Sequence, residues 1–130
     1  DEYDSALKDL NLAIDLDPEF VAAYENRGRL NADQGEYDLA IEDYTKVIEL
    51  NPGIARIYNN RGVALAQEGD FEGEIEDFEE YIRLLMTAGI DEASQAERER
   101  LIAERQRWIE ELEGDRSPFD TETLLDAETE

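Results

Sequence analysis

The sequence repeats itself with a period of 34 residues, and that period limits the fold more than any other feature of the chain. Displaced by 34, Tyr24 falls on Tyr58, Asn26-Arg27-Gly28 on Asn60-Arg61-Gly62, and Gly35 on Gly69. Tyr37 falls on Phe71, Ile41-Glu42-Asp43-Tyr44 on Ile75-Glu76-Asp77-Phe78, and Ile48 and Leu50 on Ile82 and Leu84. In the other direction, Tyr3, Ala6, Asp9, Ile14, Leu16 and Pro18 lie under Tyr37, Ala40, Asp43, Ile48, Leu50 and Pro52. Within each unit, apolar residues recur at spacings of three and four, as in Tyr37, Ile41, Tyr44 and Ile48, which is the helical period. Gly35 and Gly69 interrupt that pattern, and an acidic residue follows each to open a second helix. Asp17-Pro18 and Asn51-Pro52 close the second helix, because the residue before proline is driven out of the helical region. The pattern predicts helices over 2–16, 21–34, 37–50, 55–68 and 71–86.

A 34-residue helix–turn–helix unit with aromatic, Gly, Gly, aromatic, Ala, aromatic and Pro in this order resembles the tetratricopeptide repeat (TPR). The resemblance covers residues 1–86, and the Asn-Arg-Gly variant of the first helix looks like the bacterial form. It implies an all-α fold, a right-handed α-α superhelix whose units cannot bury their apolar faces alone and therefore stack. Residues 1–20 read as the second helix of an incomplete first repeat, 21–54 and 55–88 as two full repeats. Small residues at 6, 28, 40 and 62 let neighbouring helices approach closely.

Three positions depart from the pattern. Residue 1 already lies at the turn between the helices of its unit, so the first helix of that unit is missing from the sequence. Glu74 and Tyr81 stand where small residues are expected, which predicts that the stack ends there. Met86 replaces the closing proline, so the helix over 71–86 need not stop as the others do.

A further helical pattern spans about 91–113, with Asp91 as N-cap and Gly114 as C-cap. Residues 89–114 are expected to form a long C-terminal capping helix, with Leu101, Trp108, Ile109 and Leu112 on one face and Trp108 packed on the helix over 71–86. Residues 115–130 read as an acidic, flexible tail with little to bury, although Phe119, Leu124 and Leu125 could dock as a short motif.

Composition narrows the function classes. There are 36 acidic residues against 12 basic ones, a net charge of −24, and Lys8 and Lys46 are the only lysines. Such a field opposes nucleic acid and anionic membrane, both of which are bound through Lys and Arg contacts to phosphate. It favours solubility, and it also suits a high-salt milieu. The chain has no Cys and no His, which removes disulfides, thiol chemistry and the commonest base and metal ligand. No apolar run approaches the roughly 18 residues of a membrane span. No phosphate-cradling glycine loop or EF-hand loop occurs, and the serines lack activating partners. No enzyme activity, cofactor or metal is therefore expected; the start of the sequence shows no signal-peptide pattern, and the compartment stays open with the cytoplasm favoured.

Arg27 and Arg61 replace an apolar residue of the family pattern; the repeated spacing of Asp9, Asp43 and Asp77 favours ion pairs inside the stack for them, the alternative being an anion site for a ligand. In the TPR family, ligands lie in the concave groove lined by the first helix of each repeat. Carried onto this sequence, the resemblance nominates Ala22, Glu25, Asn26, Arg29 and Asp33, then Arg56, Asn59, Asn60, Val63 and Gln67. Asn26 and Asn60 each offer a donor and an acceptor to an extended peptide, and Arg29 and Arg56 offer charge to a carboxylate. The lysines of the chaperone-tail-binding TPRs are missing, so that ligand is not expected. The expected function is a scaffold for a protein or peptide partner, as part of a larger protein. The alternative is homo-oligomerisation through the open face of the first helix and the C-terminal helix, where a head-to-tail contact would build open chains.

Overall fold

A computed structural model describes residues 1–88 and 92–126, with side chains described over 1–88 and 94–114. Six helices appear among these residues: α1 (Glu2–Leu16), α2 (Val21–Asp33), α3 (Tyr37–Leu50), α4 (Ala55–Gln67), α5 (Phe71–Thr87) and α6 (Glu92–Asp126). Residues 1–87 and 88–130 form two separate compact units.

Helix ends in the first unit follow local chemistry. Asp1 caps α1 by accepting the Asp4 N–H at 2.8 Å, relieving one of the orphan donors of the first turn. Gly35 (φ 78°) and Gly69 (φ 81°) follow α2 and α4 in the left-handed region, where a Cβ is penalised. There Gly35 N–H reaches Ala32 O at 3.0 Å and Glu36 N–H reaches Asn31 O at 2.9 Å; Gly69 and Asp70 repeat the pair with Ala66 and Leu65. Asp17 and Asn51 end α1 and α3 in extended conformation ahead of their prolines. α5 has no proline at the corresponding place and continues three residues beyond the equivalent of Leu50, to Thr87.

α2 packs on α3 and α4 on α5 as paired helices, while α1–α2 and α3–α4 link successive units. The core of this unit is the cluster Tyr24, Ala40, Tyr44, Val47 and Ile57, edged by Ile14, Val21, Ile48 and Ile54. The glycines set the helix spacing. A Cβ on Gly28 would stand 2.7 Å from the Tyr44 ring and 3.3 Å from Asp43 Cβ; a Cβ on Gly62 would stand 2.7 Å from the Phe78 ring. Each repeat is tied to the preceding turn by a phenol: Tyr24 Oη donates to Pro18 O at 2.8 Å, and Tyr58 Oη to Pro52 O at 3.0 Å.

The second unit differs from the sequence expectation in two respects. α6 continues through Gly114 to Asp126 instead of ending at Gly114. Gly114 does not adopt positive φ, so it is not a left-handed cap, and a glycine inside a helix costs only about 1 kcal/mol against Ala. The segment expected as a flexible tail from residue 115 is thus helical as far as 126, while 127–130 lie outside the described residues. Trp108, expected as the packed residue, is 45% exposed, and the adjacent Ile109 is buried instead. Neighbouring helix positions differ by about 100°, so the two cannot face the same way. The proposed Asp91 cap and the side chains of Phe119, Leu124 and Leu125 lie outside the described residues.

Glycine is normally a weak helix former, and Ala would gain up to about 1 kcal/mol of propensity at these sites. Overpacking against a rigid ring costs about 1–3 kcal/mol and opposes that gain. Gly28→Ala and Gly62→Ala are therefore expected to lower the urea midpoint, whereas Gly114→Ala, with nothing within 4 Å of its Cβ, is not.

Candidate functional site: the groove between α2 and α4

The two helix layers carry different charge. α5 holds six acidic residues against Arg83, and α3 holds Asp38, Glu42, Asp43 and Glu49 against Lys46. α2 balances Glu25 and Asp33 with Arg27 and Arg29, and α4 has Arg56 and Arg61 with no acidic residue at all. The layer formed by α2 and α4 is thus the least acidic part of the solenoid, and charge there acts on ligands at short range.

Arg27 and Arg61 are consumed by the architecture. Arg27 Nε and Nη2 donate to Asp43 Oδ2 and Oδ1 at 2.8 and 2.6 Å; Arg61 makes the same fork on Asp77 at 2.8 and 2.7 Å. The Asp43 and Asp77 side chains are almost fully buried, and each guanidinium also lies over a tyrosine, 5.7 Å from the Tyr24 centroid and 5.9 Å from Tyr58. The ion pairs expected from the spacing are present for Asp43 and Asp77. Asp9 has no such arginine.

The nominated groove residues divide into four sets. Arg29, Asp33, Asn60 and Val63 line one concavity of about 250 Å³, together with Ala32, Ala64 and Tyr44. Glu25 and Arg56 meet each other instead: Arg56 Nε and Nη2 donate to Glu25 Oε1 and Oε2 at 2.8 and 2.9 Å, bridging α4 to α2. The Arg56 fork, assisted by its charge and that of Arg29, holds the Glu25 carboxyl below its ordinary range against the opposing effect of burial. Ala22, Asn26 and Gln67 are exposed on the same two helices but outside the concavity. Asn59 is half-buried, and its Oδ1 has no hydrogen-bond partner among the described residues.

Of the two arginines nominated for a carboxylate, Arg56 is occupied by Glu25. Arg29 makes no hydrogen bond or ion pair among the described residues, and its charge reaches Glu25 and Tyr44 only through space. Tyr44 was not nominated. Its position in the second helix marks it as core, and it is buried, yet its ring also forms part of the concavity. Burial pushes its phenol up to about 12.

Residues 28–69 match the family described as TPR repeat, and residues 55–84 match the family described as tetratricopeptide repeat. Residues 28–84 are thus similar to tetratricopeptide repeats. Among solved structures, MamA is 32% identical with a TM-score of 0.62, over 65% of this chain and 49% of that one. The chain thus spans about half the length of MamA. The type III secretion translocator chaperone SycD of Yersinia enterocolitica is 18% identical with a TM-score of 0.74, over 89% of this chain and 75% of that one. PcrH, in complex with the chaperone binding region of PopD, is 20% identical with a TM-score of 0.71, over 88% and 81%. At these lower identities the likeness is one of fold: this is an all-α TPR solenoid. Among curated proteins none matches.

Breaking the buried fork and breaking the exposed one are expected to differ. Asp43→Ala leaves Arg27 unpaired against the core and is expected to cost on the order of 3 kcal/mol. Glu25→Ala leaves a largely exposed Arg56, with an expected loss under about 1 kcal/mol in the same urea titration. Tyr44 gives a pH signature. Its folded pKa exceeds the unfolded value of about 10, so its contribution is complete below pH 10 and is lost as pH rises towards 12. Tyr44→Phe is expected to shrink the fall in stability across that window, read by denaturant midpoints at pH 9 and 12.

Proposed function

We propose that the TPR solenoid is a non-catalytic scaffold that holds an extended peptide or protein segment in the groove between α2 and α4. The observation that carries this reading is the set of uncommitted side chains around one concavity. Arg29 supplies a cation, Asn60 an amide with both donor and acceptor, and Val63 and Ala64 an apolar wall. An extended peptide offers matching groups, its backbone to Asn60 and a carbonyl or carboxylate oxygen to Arg29. Asp33 on the same wall opposes a ligand of pure negative charge, so a segment of mixed charge suits the groove best. The structure of PcrH in complex with the chaperone binding region of PopD supports a protein ligand for this fold. The concavity between α2 and α4 is small, so affinity there depends on a few contacts rather than on area.

The test is a peptide-display selection against the full chain, followed by titration of the selected peptides into variants. Val63→Glu and Arg29→Glu change exposed groove positions and are expected to weaken those peptides at least about ten-fold with unchanged melting temperature. Selected peptides that bind both variants as well as the parent would remove the groove as the binding site.

A further inference from the structure

The buried tyrosines of the solenoid use their hydroxyls differently. Tyr24 and Tyr58 each donate to the carbonyl of a proline in the preceding turn, at 2.8 and 3.0 Å. Tyr44 is 2% exposed, yet its Oη makes no hydrogen bond among the described residues. That oxygen is not among the unpaired atoms sealed inside the protein, and Tyr44 lines the concavity between α2 and α4. The ring is therefore enclosed while the hydroxyl opens onto the floor of the concavity. Phe78, at the same place one repeat later, packs on Gly62 as Tyr44 packs on Gly28, without a hydroxyl. The ring alone serves the packing, and the Tyr44 oxygen is an addition to it.

The groups around that hydroxyl are also uncommitted. Arg29 and Asp33 lie one turn apart on α2 and share a face, but neither is paired with the other or with any other described residue. Asn60 makes no hydrogen bond among the described residues either. The concavity of about 250 Å³ thus sets two donors, the Tyr44 hydroxyl and the Arg29 guanidinium, beside one carboxylate, with Ala32, Val63 and Ala64 as apolar wall.

We propose that this concavity is a specificity pocket for a side-chain carboxamide, a glutamine of the bound segment, whose oxygen accepts from Tyr44 Oη and Arg29 and whose amino group donates to Asp33. It rests on the α2–α4 groove being the peptide site and names the side chain that the groove selects. Charge and hydrogen-bond sense decide among the candidates. A glutamate gains Arg29 but meets Asp33, in a chain of net charge −24. A lysine gains Asp33 but meets Arg29 and offers the Tyr44 hydroxyl no acceptor. A leucine displaces water from these polar groups without replacing its hydrogen bonds, which loses affinity. The carboxamide is neutral and carries both an acceptor and donors on one carbon. Glutamine outreaches asparagine by one methylene, which suits a hydroxyl that belongs to α3, the layer behind α2 and α4.

The test is a displayed library of random octapeptides selected on the full chain, with the Val63→Glu protein as counter-selection. The selected peptides are expected to share a glutamine. Its replacement by leucine or glutamate is expected to weaken binding at least about five-fold by fluorescence anisotropy. Tyr44→Phe keeps the ring that suffices at Phe78. It is expected to weaken the glutamine peptides by a similar factor and to leave their leucine counterparts little changed, so that the two losses do not add. Asp33→Asn, at an exposed position outside the core, is expected to narrow the preference for glutamine over glutamate at least about three-fold, a shift that lost packing would not produce. Peptides that depend on Val63 but accept leucine for glutamine overturn the pocket and leave the groove standing, as does a Tyr44→Phe protein with its full preference for glutamine over leucine. A preference for glutamate makes the concavity an anion site and equally overturns the proposal. A library that yields no peptide sensitive to Val63→Glu removes the groove and the pocket together.

Discussion

The contact of Gly28 with the Tyr44 ring, repeated as Gly62 on Phe78, sets the geometry on which the rest of the solenoid depends. Without a Cβ on the first helix, the ring of the second lies directly against its backbone. That spacing brings Arg27 and Arg61 within reach of both oxygens of Asp43 and Asp77, the two-pronged arrangement that suits a planar guanidinium. A buried fork of this kind adds less to stability than its distances suggest, because both charges leave water. Its stronger effect is on register: only one rotation of each helix pair satisfies the fork and the ring contact together.

The same register sorts the charges. Within the repeats, α3 and α5 carry ten acidic residues, of which Asp43, Glu74 and Asp77 are buried, while α4 carries none. Asp43, Asp77 and Glu25, which are buried in the packed helices, are each met by an arginine fork. The inner layer is left with few charges, and most of its cations are already committed. Arg29 is the one on α2 and α4 without an ion pair among the described residues, which gives it weight in any account of ligand recognition.

Helix order was legible from the period because glycine, proline and aromatic residues mark the same places in each unit. The five solenoid helices fall within a residue or so of the expected spans. Legibility declined where the repeat ended. Without a second copy for comparison, Gly114 resembled a cap and Trp108 an anchor; the helix passes through the first and exposes the second. The groove was legible as a set of helix positions but not as a site. Arg29 and Arg56 look alike in sequence, and what separates them is that Glu25 lies across the groove from Arg56. Tyr44 was passed over because a residue can be core on one side and groove wall on the other, a distinction that periodicity does not encode.

The sequence by itself determined the helices and the expectation that Arg27 and Arg61 pair with aspartates of the repeated set, because each follows from local spacing repeated at a fixed period; which aspartate each arginine takes came from the structure. Only the tertiary structure decided which polar groups remain available. That depends on partners separated by 31 residues, as for Arg56 and Glu25, and on the depth at which each side chain comes to rest. Burial and cross-helix hydrogen bonding are properties of the packed stack, and no single helix contains them.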